Sequence, residues 1–319
     1  MAKNLKAQLN YAVQSCFKGN DKINGGYGSS KHSDMASGQK NGKIYSWSSY
    51  HGRLETACQF ASFVRENYPD VRNANQLTSE MAESFLLSKV GTCTTETIDT
   101  YRSNLASLGE NINRTYASAH VDLRVGKVVG TTANQESRCK AMTSADIAAL
   151  RDSYRPNSTG YKAVSIAEHT GCRASEIVKL KGSSIEIHSS SSASVYVCGK
   201  GGRDREIKIS DPASVRALAE IKASVGDRER IVACKVGSIQ KSINRHMKAL
   251  SGSSGGSMKE SYFMTNIHSI RKNFAQREFD RARQSGCSRQ ESLDHVSKQL
   301  GHGAGRDLAT LQRYVENIY

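Results

Sequence analysis

Outside a few Gly- and Ser-rich segments the chain spaces apolar residues three and four apart, but the apolar stretch Ile185 to Ile209 abandons that rhythm. The spacing puts apolar side chains on one face of a helix, and that face is stable only when buried against another element. Before residue 140 the faces are Leu54, Ala57, Cys58, Ala61 and Val64, then Met81, Phe85 and Leu86, then Ile98, Tyr101, Leu105 and Leu108. Thr78, Thr94 and Thr143 stand where helices would begin, each with a side-chain oxygen able to accept an orphan backbone N–H. Tyr161 to His169 continues the helical pattern. In the exceptional stretch, Ile185 to His188, Val195 to Cys198 and Glu206 to Ile209 are short apolar runs between Ser-rich and Gly-rich turns, as a small antiparallel sheet requires. Helical patterns return at Pro212 to Ser224, Ser238 to Leu250, Ser269 to Gln284, Gln290 to Leu300 and Leu308 to Asn317, with a flexible loop expected at Ser251 to Ser257. The expected fold is mainly α with a small antiparallel β-sheet.

The same reading divides the chain into an N-terminal helix with a flexible Gly/Ser/Lys-rich arm (1–45), a helical domain (46–122), a linker (123–140) and a mixed α/β domain (141–319). The formal charge is +15, of which 29 basic and 18 acidic residues from Cys139 onward supply +11. That bias favours a polyanionic partner, because each phosphate neutralised by Lys or Arg releases condensed counterions; a solvated basic surface gives the same count. The 8 cysteines show no CxxC pair and no metal-ligand spacing, so they read as reduced small hydrophobes and no metal or cofactor is expected. Neither a membrane-length apolar run nor a secretory segment is found, so a cytoplasmic protein without membrane contact is expected.

Five short stretches of the second half carry candidate chemistry: Thr170-Gly-Cys-Arg-Ala-Ser-Glu176, Gly199-Lys-Gly-Gly-Arg-Asp-Arg205, His268-Ser-Ile-Arg271, Leu300-Gly-His302 and Arg313-Tyr314. Singly, each has an ordinary explanation. Arg173 and Arg271 read as surface arginines, Lys200 as a solvated hairpin lysine, His302 as incidental after a Gly301 helix cap, and Tyr314 as packing beside Leu311 and Val315. In this order, with a hairpin lysine between two arginines and a tyrosine near the end, the set resembles the tyrosine recombinases, also called the phage integrase family. The resemblance covers about Thr143 to Tyr314, preceded by a helical domain as in that family.

Cleaving a phosphodiester without a metal needs a nucleophile, cations for the non-bridging oxygens and an acid for the leaving alkoxide. The resemblance implies that Tyr314 is the nucleophile, that Arg173, His268, Arg271 and His302 contact the scissile phosphate, and that Lys200 is the general acid. A planar guanidinium suits the phosphate role because it stays charged and grips two oxygens at once, and Glu176, one turn beyond Arg173, is placed to orient it. His268 and Arg271, three apart on a helix, would point the same way.

The resemblance further implies that residues 46–122 are a core DNA-binding domain closing with the catalytic domain around duplex DNA. It implies recombination sites as substrate, a homo-tetramer on DNA, accessory DNA-bending proteins as further partners, and a role as integrase or resolvase of a mobile element. The chain departs from the family in a longer Arg271-to-His302 interval, an expansion at Gly303 to Asp307 and only five residues after Tyr314. A type IB topoisomerase and a catalytically silent DNA-binding protein are the alternatives. The sequence offers no carboxylate cluster for a two-metal nuclease.

Overall fold

The computed structural model describes residues 4–17, 38, 43–131, 140–199, 204–262, 266–302, 311 and 314–315. Most of the expected arm Asn24 to Lys43 and of the expected helix Leu308 to Asn317 lies outside them. The chain divides into two compact units, Met1–Ala133 and Asn134–Tyr319.

In the first unit, four helices bury their apolar faces together: α1 (Leu5–Ser15), α2 (Trp47–Asn67), α3 (Ser79–Leu87) and α4 (Thr95–Thr115). Leu9, Val13, Phe60, Val64, Leu86, Ile98 and Leu105 have no solvent exposure, and each such side chain is worth roughly 1.5–3 kcal/mol of burial. Thr78 and Thr94 cap α3 and α4, accepting from the Met81 and Thr97 N–H groups as their positions in the sequence suggest. α1 belongs to this core, and the chain returns beside it where the Ile44 N–H donates to the Cys16 carbonyl at 2.8 Å.

The second unit begins with α5 (Ser144–Asp152), capped by Thr143, followed by α6 (Thr159–Thr170) and the single turn α7 (Ala174–Ile177). A three-stranded antiparallel sheet follows, β1 (Ile185–Ser189), β2 (Ser192–Cys198) and β3 (Asp204–Ile209), in the order β1-β2-β3. Val195 faces Ile185 on one side and Ile207 on the other, so the alternating apolar positions form one inner face. The serines ahead of Val195 lengthen β2 because Ser194 pairs with both Glu186 and Lys208 across the sheet. Helices α8 (Pro212–Ala223), α9 (Val236–Ala249), α10 (Met258–Ser261), α11 (Ile267–Gln284) and α12 (Arg289–Leu300) complete the described part. A mainly helical protein with one small antiparallel sheet is therefore what forms.

The Ser251 to Ser257 segment differs from the flexible loop expected on Gly/Ser content. The Asp146 carboxylate accepts from the Ser253 N–H at 3.1 Å, the Ser253 hydroxyl at 2.6 Å and the buried Tyr262 hydroxyl at 2.6 Å, fastening the segment to α5. No described helix is long and apolar enough to cross a membrane.

α6 and α12 both end on a left-handed glycine, Gly171 at φ +61 and Gly301 at φ +70. At Gly171 a Cβ would lie 2.4 Å from the Phe274 ring of α11, so the absent side chain lets the two helices close. The helix ends so formed position the site.

Candidate functional site

Where α6 stops at Gly171, the chain turns and Arg173 becomes the N-cap of the α7 turn. Its backbone N–H donates to Glu176 Oε2 at 2.8 Å, and its Nη1 donates to Glu176 Oε1 at 2.8 Å. A single carboxylate thus fixes both the main chain and the guanidinium of Arg173, whose side chain is about a quarter exposed.

Arg271 lies one turn into α11 and is completely buried. It donates to the Gly171 carbonyl through Nη1 and to the Leu300 carbonyl through Nη2, at 2.6 Å in the second case. The end of α6 and the end of α12 are joined by one guanidinium. Burial and the neighbouring Arg173 charge lower its pKa to about 10, with Tyr314 and Glu176 acting the other way, so it remains charged at neutral pH.

His302 directly follows the Gly301 cap of α12. Its Nε2 stands 3.4 Å from Nη2 of Arg173 and 3.4 Å from Nη2 of Arg271. A guanidinium only donates, so Nε2 is the lone-pair nitrogen and neutral His302 carries its proton on Nδ1. His268, one turn before Arg271, keeps an exposed edge. Packed protein nevertheless withdraws water from the ring, and with the charges of Arg271, Lys272 and Arg173 this lowers its pKa to about 4, leaving it neutral.

Tyr314 closes the arrangement. Its side chain is buried, its ring centroid lies 5.2 Å from those of both His268 and His302, and the Arg271 guanidinium carbon stands 5.5 Å from the ring centre. That last contact is a cation–π arrangement. Five sequence-derived candidates, Arg173, His268, Arg271, His302 and Tyr314, meet in one place although their segments are far apart in the chain. Lys200 and Arg313 lie outside the described residues.

Arg205 of β3 also enters the cluster and was not among the candidates. Its Nη1 and Nη2 donate to the two oxygens of Glu176 at 3.0 and 2.9 Å, and its Nε donates to the Gln299 carbonyl at 3.0 Å. The signal was present in the sequence, since strand alternation puts Arg205 on the same face as Ile207 and Ile209, where a charge needs a buried partner. Glu176, with its side chain 2% exposed, is that partner. Burial opposes its ionisation, but hydrogen bonds from Arg205 and the Arg173 backbone, with the charges of Arg205 and Arg271, lower its pKa to about 2.

Three arginines surround one carboxylate, leaving a net positive site with two neutral imidazoles beside a phenol. Such a set has the chemistry to bind a tetrahedral oxyanion beside a phenol. Among the described residues no group of three or more His, Cys, Asp or Glu side chains is arranged to hold a metal ion.

No protein-family model matches the sequence, and neither does any curated protein. Solved structures do. The XerH site-specific recombinase in its post-cleavage complex with a palindromic difH substrate matches at TM-score 0.59 and 14% identity, over 97% of this chain and 90% of that one. A lambda integrase tetramer bound to a Holliday junction matches at 0.58 and 12%, over 99% and 78%. The Tn1549 transposon integrase in complex with a circular-intermediate DNA matches at 0.51 and 10%, over 97% and 95%.

Proposed function

From the tyrosine recombinase fold that these structures share with the chain, we propose that the protein is a site-specific DNA recombinase whose Tyr314 cuts and rejoins a DNA strand. The observation that carries this reading is the seat of the Tyr314 ring, between His268 and His302 and over the Arg271 guanidinium.

In the proposed reaction a scissile phosphate is held by Arg173, Arg271 and His302, with planar donors facing its non-bridging oxygens. Arg173, the more exposed guanidinium, meets the phosphate first. Arg271 has no solvent exposure while Tyr314 covers it, so the ring shifts as the phosphate enters. The Tyr314 oxygen then bonds to phosphorus and the bond to the 5′ oxygen breaks, giving a 3′-phosphotyrosine and a free 5′ hydroxyl. Lys200 supplies the proton to the departing oxygen, and neutral His268 is the candidate acceptor for the phenolic proton. Because the phosphotyrosyl bond retains the phosphodiester energy, religation needs no nucleotide. Phosphate contacts set the register on duplex DNA, while base contacts and DNA deformability select the site. A homo-tetramer on the recombination site, accessory DNA-bending proteins and service to a mobile element as integrase or resolvase belong to the same proposal.

The test uses purified protein and nicked duplex from its own genetic neighbourhood, in EDTA and without nucleotide. A denaturation-resistant protein–DNA adduct is expected, lost in Tyr314→Phe while duplex binding persists. An adduct surviving in that variant would move the nucleophile to another residue. Relaxation of arbitrary plasmids by the protein would favour the type IB topoisomerase instead, and binding without any adduct a silent DNA-binding protein.

A further inference from the structure

Arg205 donates to the framework of the site. Its guanidinium pairs with both oxygens of Glu176, and its side chain is only 10% exposed. The Nε N–H goes to the carbonyl of Gln299, two residues before the α12 cap. A Cβ on Gly301 would lie 2.8 Å from Arg205 Cδ and 2.9 Å from Nη1, so this guanidinium rests against the residue that aims His302. β3, α7 and the end of α12 therefore converge on one Arg–Glu pair.

Glu176 has competing partners. Besides Arg205 it holds the backbone and Nη1 of Arg173, and its Oε2 is 4.0 Å from Nη1 of Arg271. Three guanidinium charges against one carboxylate leave two positive charges for an incoming phosphate. Were Arg205 absent, one would remain, and the carboxylate would satisfy itself on the two guanidiniums proposed to grip the substrate. A buried carboxylate losing a bidentate partner recruits whatever donors are within reach.

We propose that Arg205 is a positioning residue: by occupying Glu176 and bracing Gly301, it keeps Arg173, Arg271 and His302 aimed and available for an anionic phosphate. It touches neither the phosphate nor the reacting atoms. The assignment rests on the proposed strand-cleaving function.

The experiment compares rates of adduct formation by the wild type, Arg205→Ala and Arg205→Lys on two nicked duplexes. One carries the natural scissile phosphate and the other a methylphosphonate at that position, which removes one negative charge. On the phosphate, Arg205→Ala is expected to be slower by on the order of 100-fold, the scale of losing one electrostatic element of such a site. On the neutral methylphosphonate the same variant is expected within about tenfold of the wild type, because the charge that Glu176 would cancel is no longer needed. Arg205→Lys keeps the cation without the planar fork, so an intermediate rate is expected on the phosphate.

An equal loss on both substrates would mean that Arg205 is merely structural and would overturn the assignment; no loss on either would do the same. Should Arg205→Ala fail to fold, judged by thermal unfolding, the lysine variant carries the identical comparison with the same two overturning outcomes. Absence of an adduct with the wild type on the natural phosphate would overturn the cleavage function and this assignment together, whereas a wild-type adduct with an unaffected Arg205→Ala overturns the assignment alone.

Discussion

Replacing Glu176 by glutamine removes one negative charge and leaves the shape of the site nearly unchanged. The carboxyl has an ordinary pKa of 4.5 and sits at about 2 in the folded protein, where the cost of burial is outweighed by hydrogen bonds from Arg205 and the Arg173 backbone and by the charges of Arg205 and Arg271. At about 1.36 kcal/mol per unit this difference amounts to roughly 3 kcal/mol of stability at neutral pH. Because the folded value is depressed, the contribution is complete above pH 4.5 and drains away as the pH falls toward 2; by pH 3.5 about 1 kcal/mol of it should be gone. The glutamine has no such titration. Urea unfolding of both proteins between pH 7 and pH 3.5 measures the difference. The single tryptophan, Trp47, lies in the first unit, so its fluorescence isolates that unit's transition from the circular-dichroism signal of the second. A gap of about 3 kcal/mol at pH 7, narrowing to about 2 at pH 3.5, is expected in the second unit alone. A gap below about 1 kcal/mol at pH 7, or one that stays constant with pH, would refute the claim that this carboxylate is the anionic hub of the arginine cluster.

His268 should remain neutral in the DNA-free protein down to about pH 4, so its imidazole resonances should not titrate between pH 8 and 5; an NMR midpoint near 6.5 would contradict the crowding described for it. Gly301→Ala forces a residue with a side chain into φ +70 and pushes its Cβ onto Arg205. It should cost at least about 1–2 kcal/mol by thermal unfolding and slow adduct formation as well, whereas an alanine tolerated in both assays would remove the constraint. Lys200→Ala should cleave slowly and recover when the leaving 5′ oxygen is replaced by sulfur, a better leaving group; absence of rescue would deny the general-acid role.

Local rules determined the elements. Helical spacing, the threonine caps at Thr78, Thr94 and Thr143, and strand alternation on either side of Val195 depend on neighbours a few residues away, so the chain's own order displays them. The candidate chemistry was legible for a related reason. Histidine, arginine and tyrosine carry their chemistry in the side chain, and the order of the motifs survives whatever loops lie between them.

Tertiary structure alone decided who meets whom. Nothing in the order of residues says that Arg271 threads between the carbonyls ending α6 and α12, or that Glu176 serves Arg205 as well as Arg173. Nor could composition foresee that Ser251 to Ser257, rich in glycine and serine, would be fastened by a buried aspartate. Those outcomes depend on the cost of leaving a buried charge or carbonyl unpaired, and the partner that removes that cost is chosen by packing between segments far apart in the chain.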